Sequence, residues 1–309
     1  MDSDPRLHTD APPAAICDYE GSNYRTDFWT QSRTYEDKVE RVALKSLLPP
    51  VGQRLVEIGA GFGRLADLYS GYEQVVLFDY SRSLLRQART RWGDTAPGGR
   101  PRYLYVAGDF YNLPFADGIF DVVTMIRVIH HAQDAPRVIR GIQNIIASEG
   151  TFVLEFANKR NVKAIARWVL RRQAWNPFRL KPYEFVALNF DFHPRWMRAL
   201  LQQTGFTIQA QRTVSHFRLG ILKRFVPTRW LVKLDSLIQP TGRWWQLAPS
   251  VFVKSQAPTK PIPAMEQTFF RCPACHSTKL IRQDKSLICQ NCHTPWRIHD
   301  GLYDFKAML

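Results

Sequence analysis

Short apolar runs alternate with amphipathic stretches through the first half of the chain. Residues 36–48 (EDKVERVALKSLL) space Val39, Ala43 and Leu47 four apart with charges between them, the period of a helix, and Pro49-Pro50 stops it. Apolar runs at 54–58, 74–79, 102–107 (RYLYVA), 121–126 (DVVTMI) and 151–156 (TFVLEF) predict strands. Between them the pattern predicts helices over 63–70, from Ser81 as an N-cap, and over 134–147, followed by a turn at Ser148-Glu149-Gly150. Strand and helix in alternation predict an α/β, doubly wound sheet. A further helix over 194–204 has Pro194 at its start and Gly205 past its end. Strands over 206–214 and 250–255 complete the pattern. Two stretches, about 158–192 and 215–248, interrupt it as insertions.

The first strand ends in glycines at alternate positions, Gly59, Gly61 and Gly63. Glycine admits positive φ and leaves no Cβ in the way, so the backbone there can approach a ligand closely. The second strand ends in Asp79, twenty residues after Gly59. A glycine turn after one parallel strand and an acid after the next outline a nucleoside site. The dinucleotide fingerprint G-x-G-x-x-G is not met, because the third glycine comes one residue early. Glu57, two residues before the first glycine, would also repel a pyrophosphate. A carboxylate there suits a cationic ligand.

The stretch E-x-G-x-G-x-G followed by VVLFDYS resembles the class I S-adenosylmethionine (SAM)-dependent methyltransferases. Residues 112–134 (NLPFADGIFDVVTMIRVIHHAQD) resemble the segment that follows the adenine site in that family, most of all in methyltransferases of small-molecule and quinone type. The resemblance implies a Rossmann-like, seven-stranded methyltransferase sheet with helices on both faces. It implies SAM as cofactor, held by Glu57, Gly59, Gly61, Gly63, Asp79, Tyr80, Asp109, Phe110 and Arg127. Asp79 would accept from the ribose hydroxyls; Asp109 would meet the adenine amino group with Phe110 flanking the ring. Arg127 stands where relatives carry a small or acidic residue, and would meet the SAM carboxylate or an acidic substrate. His130 and His131 are candidate general bases, although a structural role suits paired histidines there better. The aromatic segment 16–35, with Tyr24, Trp29 and Tyr35, reads as a cofactor lid or as core packing.

Composition adds a second unit. Four of the five cysteines form Cys272-x2-Cys275-x13-Cys289-x2-Cys292, the spacing of a four-thiolate structural zinc site. Each knuckle continues into a histidine (His276, His293), as in haem attachment, but no export signal precedes them. The ending resembles short zinc ribbons associated with methyltransferases. The expected organisation is a mobile tail (1–15), a methyltransferase domain (16–254), a linker (255–266) and a C-terminal zinc ribbon (267–309). The acidic, proline-rich start and the lack of a long apolar run predict a cytoplasmic protein without a transmembrane segment.

The net charge of +15 is uneven: residues 158–247 hold 17 Lys/Arg against 3 Asp/Glu, and six of the nine tryptophans. Lys163, Arg167 and Arg171 fall on one helical stripe. Such a surface suits an anionic membrane, RNA, or simply water. The expected activity is methyl transfer from SAM to a small-molecule or lipid-like acceptor, with peripheral membrane contact as a further expectation. An RNA methyltransferase and a non-catalytic scaffold whose ribbon docks a partner are the alternatives.

Overall fold

The computed structural model describes residues 15–21, 33–94, 102–260 and 268–306. Tyr24, Trp29, residues 1–14 of the expected tail and 261–266 of the expected linker lie outside them. Helix α1 (Thr34–Leu47) buries Val39, Ala43, Leu44 and Leu47, carries Glu36 and Asp37 in its first turn, and ends as Leu48 turns extended ahead of the prolines. Strands β1 (Gly52–Ile58), β2 (Tyr72–Asp79), β3 (Tyr103–Ala107), β4 (Phe120–Met125) and β5 (Ile146–Ala157) are parallel, in the order β3-β2-β1-β4-β5. Strands β6 (Tyr183–Val186) and β7 (Asn189–Asp191) pair as a separate two-stranded sheet, and antiparallel β9 (Ser250–Gln256) and then β8 (Thr207–Val214) follow on β5.

Helix α2 (Arg82–Trp92) is capped by Ser81, whose hydroxyl accepts from the Leu84 N–H, and α3 (Ala135–Ile145) by Asp134 in the same way. Successive strand residues face opposite sides. Leu55, Val75 and Leu77 pack with α1 and α2, whereas Val56, Val76 and Val123 pack with α3 and with α5 (Pro194–Gln203). Both faces are therefore covered, as a central parallel sheet requires.

Three expectations are corrected. Residues 63–70 form a turn and a short 3-10 segment (Ala66–Tyr69) instead of an α-helix. Gly63 sits at φ 68, outside helical space, and its carbonyl accepts from the Trp92 indole at 2.9 Å. The basic stripe breaks because α4 (Val162–Val169) ends before Arg171, which has φ 55. The sheet also has more than seven strands. The seven expected are present, and four more extend them past β3: β10 (Leu280–Gln283), β11 (Ser286–Cys289), β12 (Pro295–His299) and β13 (Leu302–Asp304).

These four come from the cysteine-bearing segment. β13 lies parallel to β3, with Leu302 opposite Tyr105 and Asp304 opposite Ala107, and Phe305 N–H continues the ladder to the Ala107 carbonyl at 2.7 Å. Upstream, Ala116 N–H donates to Phe269 and Arg271 N–H to Pro114, so the ribbon is also tied to the 113–116 turn. Arg82 reaches Asp304 with two nitrogens, at 2.7 and 3.2 Å. The ribbon thus covers an edge strand that would otherwise expose a row of unpaired amides.

The four Sγ atoms lie within 4.8 Å of one another. Cys272–Cys292 and Cys275–Cys289 approach to 3.6 and 3.5 Å, near the ~3.8 Å edge of a tetrahedral Zn–S site. Both knuckles close alike: His276 (φ 60) donates its N–H to Cys272, and His293 (φ 56) to Cys289. The donor set fits zinc, and with four protein ligands it leaves no open position.

Metal analysis of the purified protein should return about one zinc per chain. Cys289→Ser should abolish it and raise amide hydrogen exchange in 302–305 and 103–107 together, because ribbon and sheet share a ladder. Zinc loss without faster exchange in 103–107 would contradict that coupling.

Candidate functional site

The carboxyl ends of β1, β2 and β4 meet in a cleft lined by Glu57, Gly59, Ala60, Gly61, Phe62, Arg64, Leu65, Ile126 and Arg127. Its floor is the glycine turn. Gly59 N–H and Ala60 N–H both donate to the Phe78 carbonyl, at 2.7 and 2.9 Å. Gly59 has φ 76, and a Cβ there would lie 2.1 Å from Val128 Cγ2, so no other residue fits. Gly61 donates its N–H to Asp79 Oδ2 at 2.7 Å, while Ser81 N–H donates to Oδ1 at 2.8 Å. Asp79 is thereby aimed across the turn with acceptor capacity to spare. Burial raises its carboxyl to about 6, against these two N–H groups and Lys306.

Glu57 is 3% exposed, and its Oε2 has no hydrogen-bond partner among the described residues. Burial raises it to about 8, with Arg64 and a hydrogen bond from Tyr69 opposing. An acid with an unmet oxygen at the end of a cleft is a place for a cation. Arg64 cannot fill that role alone, since its guanidinium also serves Asp37 and Glu40, the latter at 3.0 Å. Glu40, on α1 and fully buried, takes the Arg127 side chain as well. Those two cations and their hydrogen bonds hold the Glu40 carboxyl below its usual value despite burial.

Arg127 itself has φ 60, and its N–H donates to Glu155 Oε2 at 2.9 Å. Its guanidinium is engaged by Glu40 while it lines the cleft.

At the far end, Gly108 N–H donates to the Asp79 carbonyl at 3.1 Å, which sets β3 beside β2. Asp109 accepts from Tyr111 N–H at 2.7 Å and from Asn112 at 2.9 Å, and Phe110 is 8% exposed. Tyr80 lies under Lys306, whose Nζ is 3.7 Å from the ring centroid. A residue just past the ribbon's last strand thus stands beside a residue of this site. The rings of His130 and His131 lie 4.1 Å apart, tilted by 51°. Burial depresses both, that of His130 well below its usual value. His131 bonds the Leu188 carbonyl and the Tyr19 hydroxyl, a set of contacts that ties segments together.

Several residues escaped the sequence pattern: Glu40, Glu155, Lys306 and the wall of a second cavity. That cavity, of about 750 Å³, is lined by α1, α4, residues 216–223 and residues 247–249. In its wall His216 Nδ1 lies 3.0 Å from Asp235 Oδ2, which also accepts from the Tyr35 hydroxyl at 2.6 Å. Tyr35 is core packing with a polar handle, 2% exposed. The only advance signal for Glu40 was its place beside Val39 and Ala43 on the apolar side of α1.

The residues fit SAM on the structure's own terms. An orphaned buried carboxylate oxygen would meet its cationic end, Asp79 would accept from the ribose, and the Cβ-free turn would let the backbone approach.

Comparison with known proteins agrees. Residues 56–154 match the methyltransferase domain family. Over 169 residues the chain is 28% identical to the ubiquinone/menaquinone biosynthesis C-methyltransferase UbiE of Pseudomonas entomophila, and over 172 residues 29% identical to that of Pseudomonas fluorescens. Each match covers 50% of this chain and 65% of the relative, so the chain spans a little under two thirds of these relatives' length. A chain from the complex of the Haloferax volcanii Trm112 methyltransferase activator with a presumed methyltransferase superposes with a TM-score of 0.50 at 17% identity. It covers 75% of this chain and 95% of the other, a likeness of fold.

A bound cation favours ionised Glu57, so SAM binding should release a proton from a group at about 8. Affinity by calorimetry should rise between pH 6.5 and 8, by at most about tenfold per unit, then level off. Glu57→Gln should flatten that profile and weaken binding roughly tenfold. Glu40→Ala leaves two guanidiniums facing each other and should cost about 3–5 kcal/mol of stability by urea unfolding.

Proposed function

Because residues 56–154 match the methyltransferase domain family, we propose that the chain is a class I SAM-dependent methyltransferase that transfers a methyl group from SAM to a small-molecule or lipid-like acceptor. The observation that carries this reading is the pairing of two spaces. The glycine cleft offers Glu57 to a cationic nucleoside, with Asp79 held against its turn by the Gly61 N–H, and the 750 Å³ cavity built by the insertions is of a size that encloses a small organic molecule. A non-catalytic scaffold has no use for the second space.

When bound, SAM supplies a methyl group on a leaving group that is already activated. The protein's part is then mainly positioning. Asp79 would fix the ribose, Glu57 the cationic end, and Asp109 with Phe110 the adenine. Where the acceptor must lose a proton, His216 lines the cavity and is oriented by Asp235, and its Nε2 would have to exchange the Thr213 hydroxyl, 3.2 Å away, for the acceptor. His131 is tied to Tyr19 and Leu188, and His130 packs against the His131 ring.

The lipid-like half of the reading rests on surface character. Phe225, Trp230, Trp244 and Trp245 are all about half exposed or more, on the same insertion that supplies Leu219 and Lys223 to the cavity. Aromatics beside basic residues suit the headgroup region of an anionic surface. No helix among the described residues is long and apolar enough to cross a membrane.

The test is transfer of a radiolabelled methyl group from SAM into fractionated small-molecule, lipid, RNA and protein pools. Label should enter the small-molecule or lipid pool, and Asp79→Asn should lower kcat/KM for SAM by about 10²-fold or more, since it removes a charged acceptor. Label confined to RNA would replace this reading with the nucleic-acid one.

A further inference from the structure

The 750 Å³ cavity is lined by five cationic side chains, Arg33, Lys163, Arg167, Arg218 and Lys223, against a single carboxylate, Glu36. Glu36 is paired with Lys223 through Oε1, while its buried Oε2 has no hydrogen-bond partner among the described residues. The remaining wall is apolar, with Val162, Leu219, Leu247 and Pro249 among it.

Arg218 is the unusual member. It sits largely enclosed, and its Nε is buried without a hydrogen-bond partner among the described residues. Among the described residues its hydrogen bond is from Nη2 to the Ser215 hydroxyl, at 3.3 Å. Burial and the nearby Arg127 pull its proton affinity down, with Glu40, Glu36 and Glu155 opposing. None of those carboxylates makes an ion pair with it, because Glu40 is occupied by Arg64 and Arg127, and Glu155 by Ser250 and the Arg127 N–H.

A guanidinium held this way is costly unless a ligand supplies the missing anion. Its fork geometry matches a carboxylate or phosphate. Its electrostatic neighbour Arg127 also lines the glycine cleft, so an anion here would lie on the side of the cavity that faces that cleft.

We propose that this cavity is an anion-recognition site: the acceptor carries a carboxylate or phosphate that Arg218 grips, with Lys163 and Arg167 adding field and the apolar wall holding a hydrocarbon body. This rests on the methyltransferase reading for the ligand being the acceptor, but the binding chemistry is measurable without any methyl transfer.

The test is calorimetric titration of the full-length, zinc-loaded protein with octyl phosphate, octanoate and octanol. The two anions should bind about tenfold or more tighter than octanol, and Arg218→Met should erase that preference, since a hydrogen-bonded charge pair is worth that much. Arg218→Lys should restore part of it. Lys163→Gln, at an exposed position on α4, should weaken both anions about two- to threefold and cannot act by unfolding the core.

Equal binding of octanol and the anions, or an anion preference that survives Arg218→Met in a variant with native melting, would overturn the proposal. Vesicles containing phosphatidylglycerol separate a free anionic acceptor from a lipid headgroup. Vesicle binding lost with Arg218→Met places the headgroup in the cavity, as proposed. Vesicle binding unaffected by it, without octyl phosphate binding, overturns the proposal in favour of a surface contact. A separate SAM titration tells the two readings apart: absent SAM binding defeats the methyltransferase reading, and leaves the anion preference to be judged alone.

Discussion

Buried carboxylates with too little positive charge around them organise the carboxyl edge of this sheet. Four acids converge there, and burial opposes the charge of each. Glu40 is satisfied by Arg64 and Arg127 and remains ionised. Glu155 takes the Arg127 N–H and the Ser250 hydroxyl. Asp79 takes two N–H groups from the turns it spans. Glu57 is left with one unmet oxygen. The first three define the shape of the cleft, and the last leaves a buried oxygen that the proposed cationic cofactor would meet.

The cleft depends on elements distant in sequence. Helix α1 reaches β4 through Glu40 and Arg127. The ribbon reaches α2 through Asp304 and Arg82, and reaches Tyr80 through Lys306. The ribbon therefore does more than cover an edge. Its zinc site anchors the strand whose end stands against the nucleoside side of the cleft, so metal, sheet edge and cofactor site form one mechanical chain. On the opposite side, the insertions after β5 and β8 close the cavity that receives Arg218.

Features carried by local pattern were legible in the sequence. The parallel strands, the Ser81 cap, the glycine turn and the cysteine spacing each depend on neighbours within a few residues. Residues 63–70 misled because their apolar spacing is helical while the deciding contact, Trp92 on the Gly63 carbonyl, comes from 29 residues away. The extra strands were invisible as part of the main sheet because pairing of β13 with β3 spans most of the chain. The basic insertions left membrane, RNA and water open by composition, whereas Lys159 and the Nε atoms of Arg160, Arg198 and Arg218 turn inward, and only the fold shows which of the 17 cations do so.

The claim on which the account turns is that Glu57 awaits a cation. Carbon-13 NMR of the labelled Glu57 carboxyl, titrated with and without SAM and assigned by Glu57→Gln, measures this directly. The account predicts a midpoint of about 8 in the free protein that falls when SAM is bound. A midpoint in the ordinary glutamate range near 4.5 in the free protein, or one that SAM leaves unmoved, would contradict it.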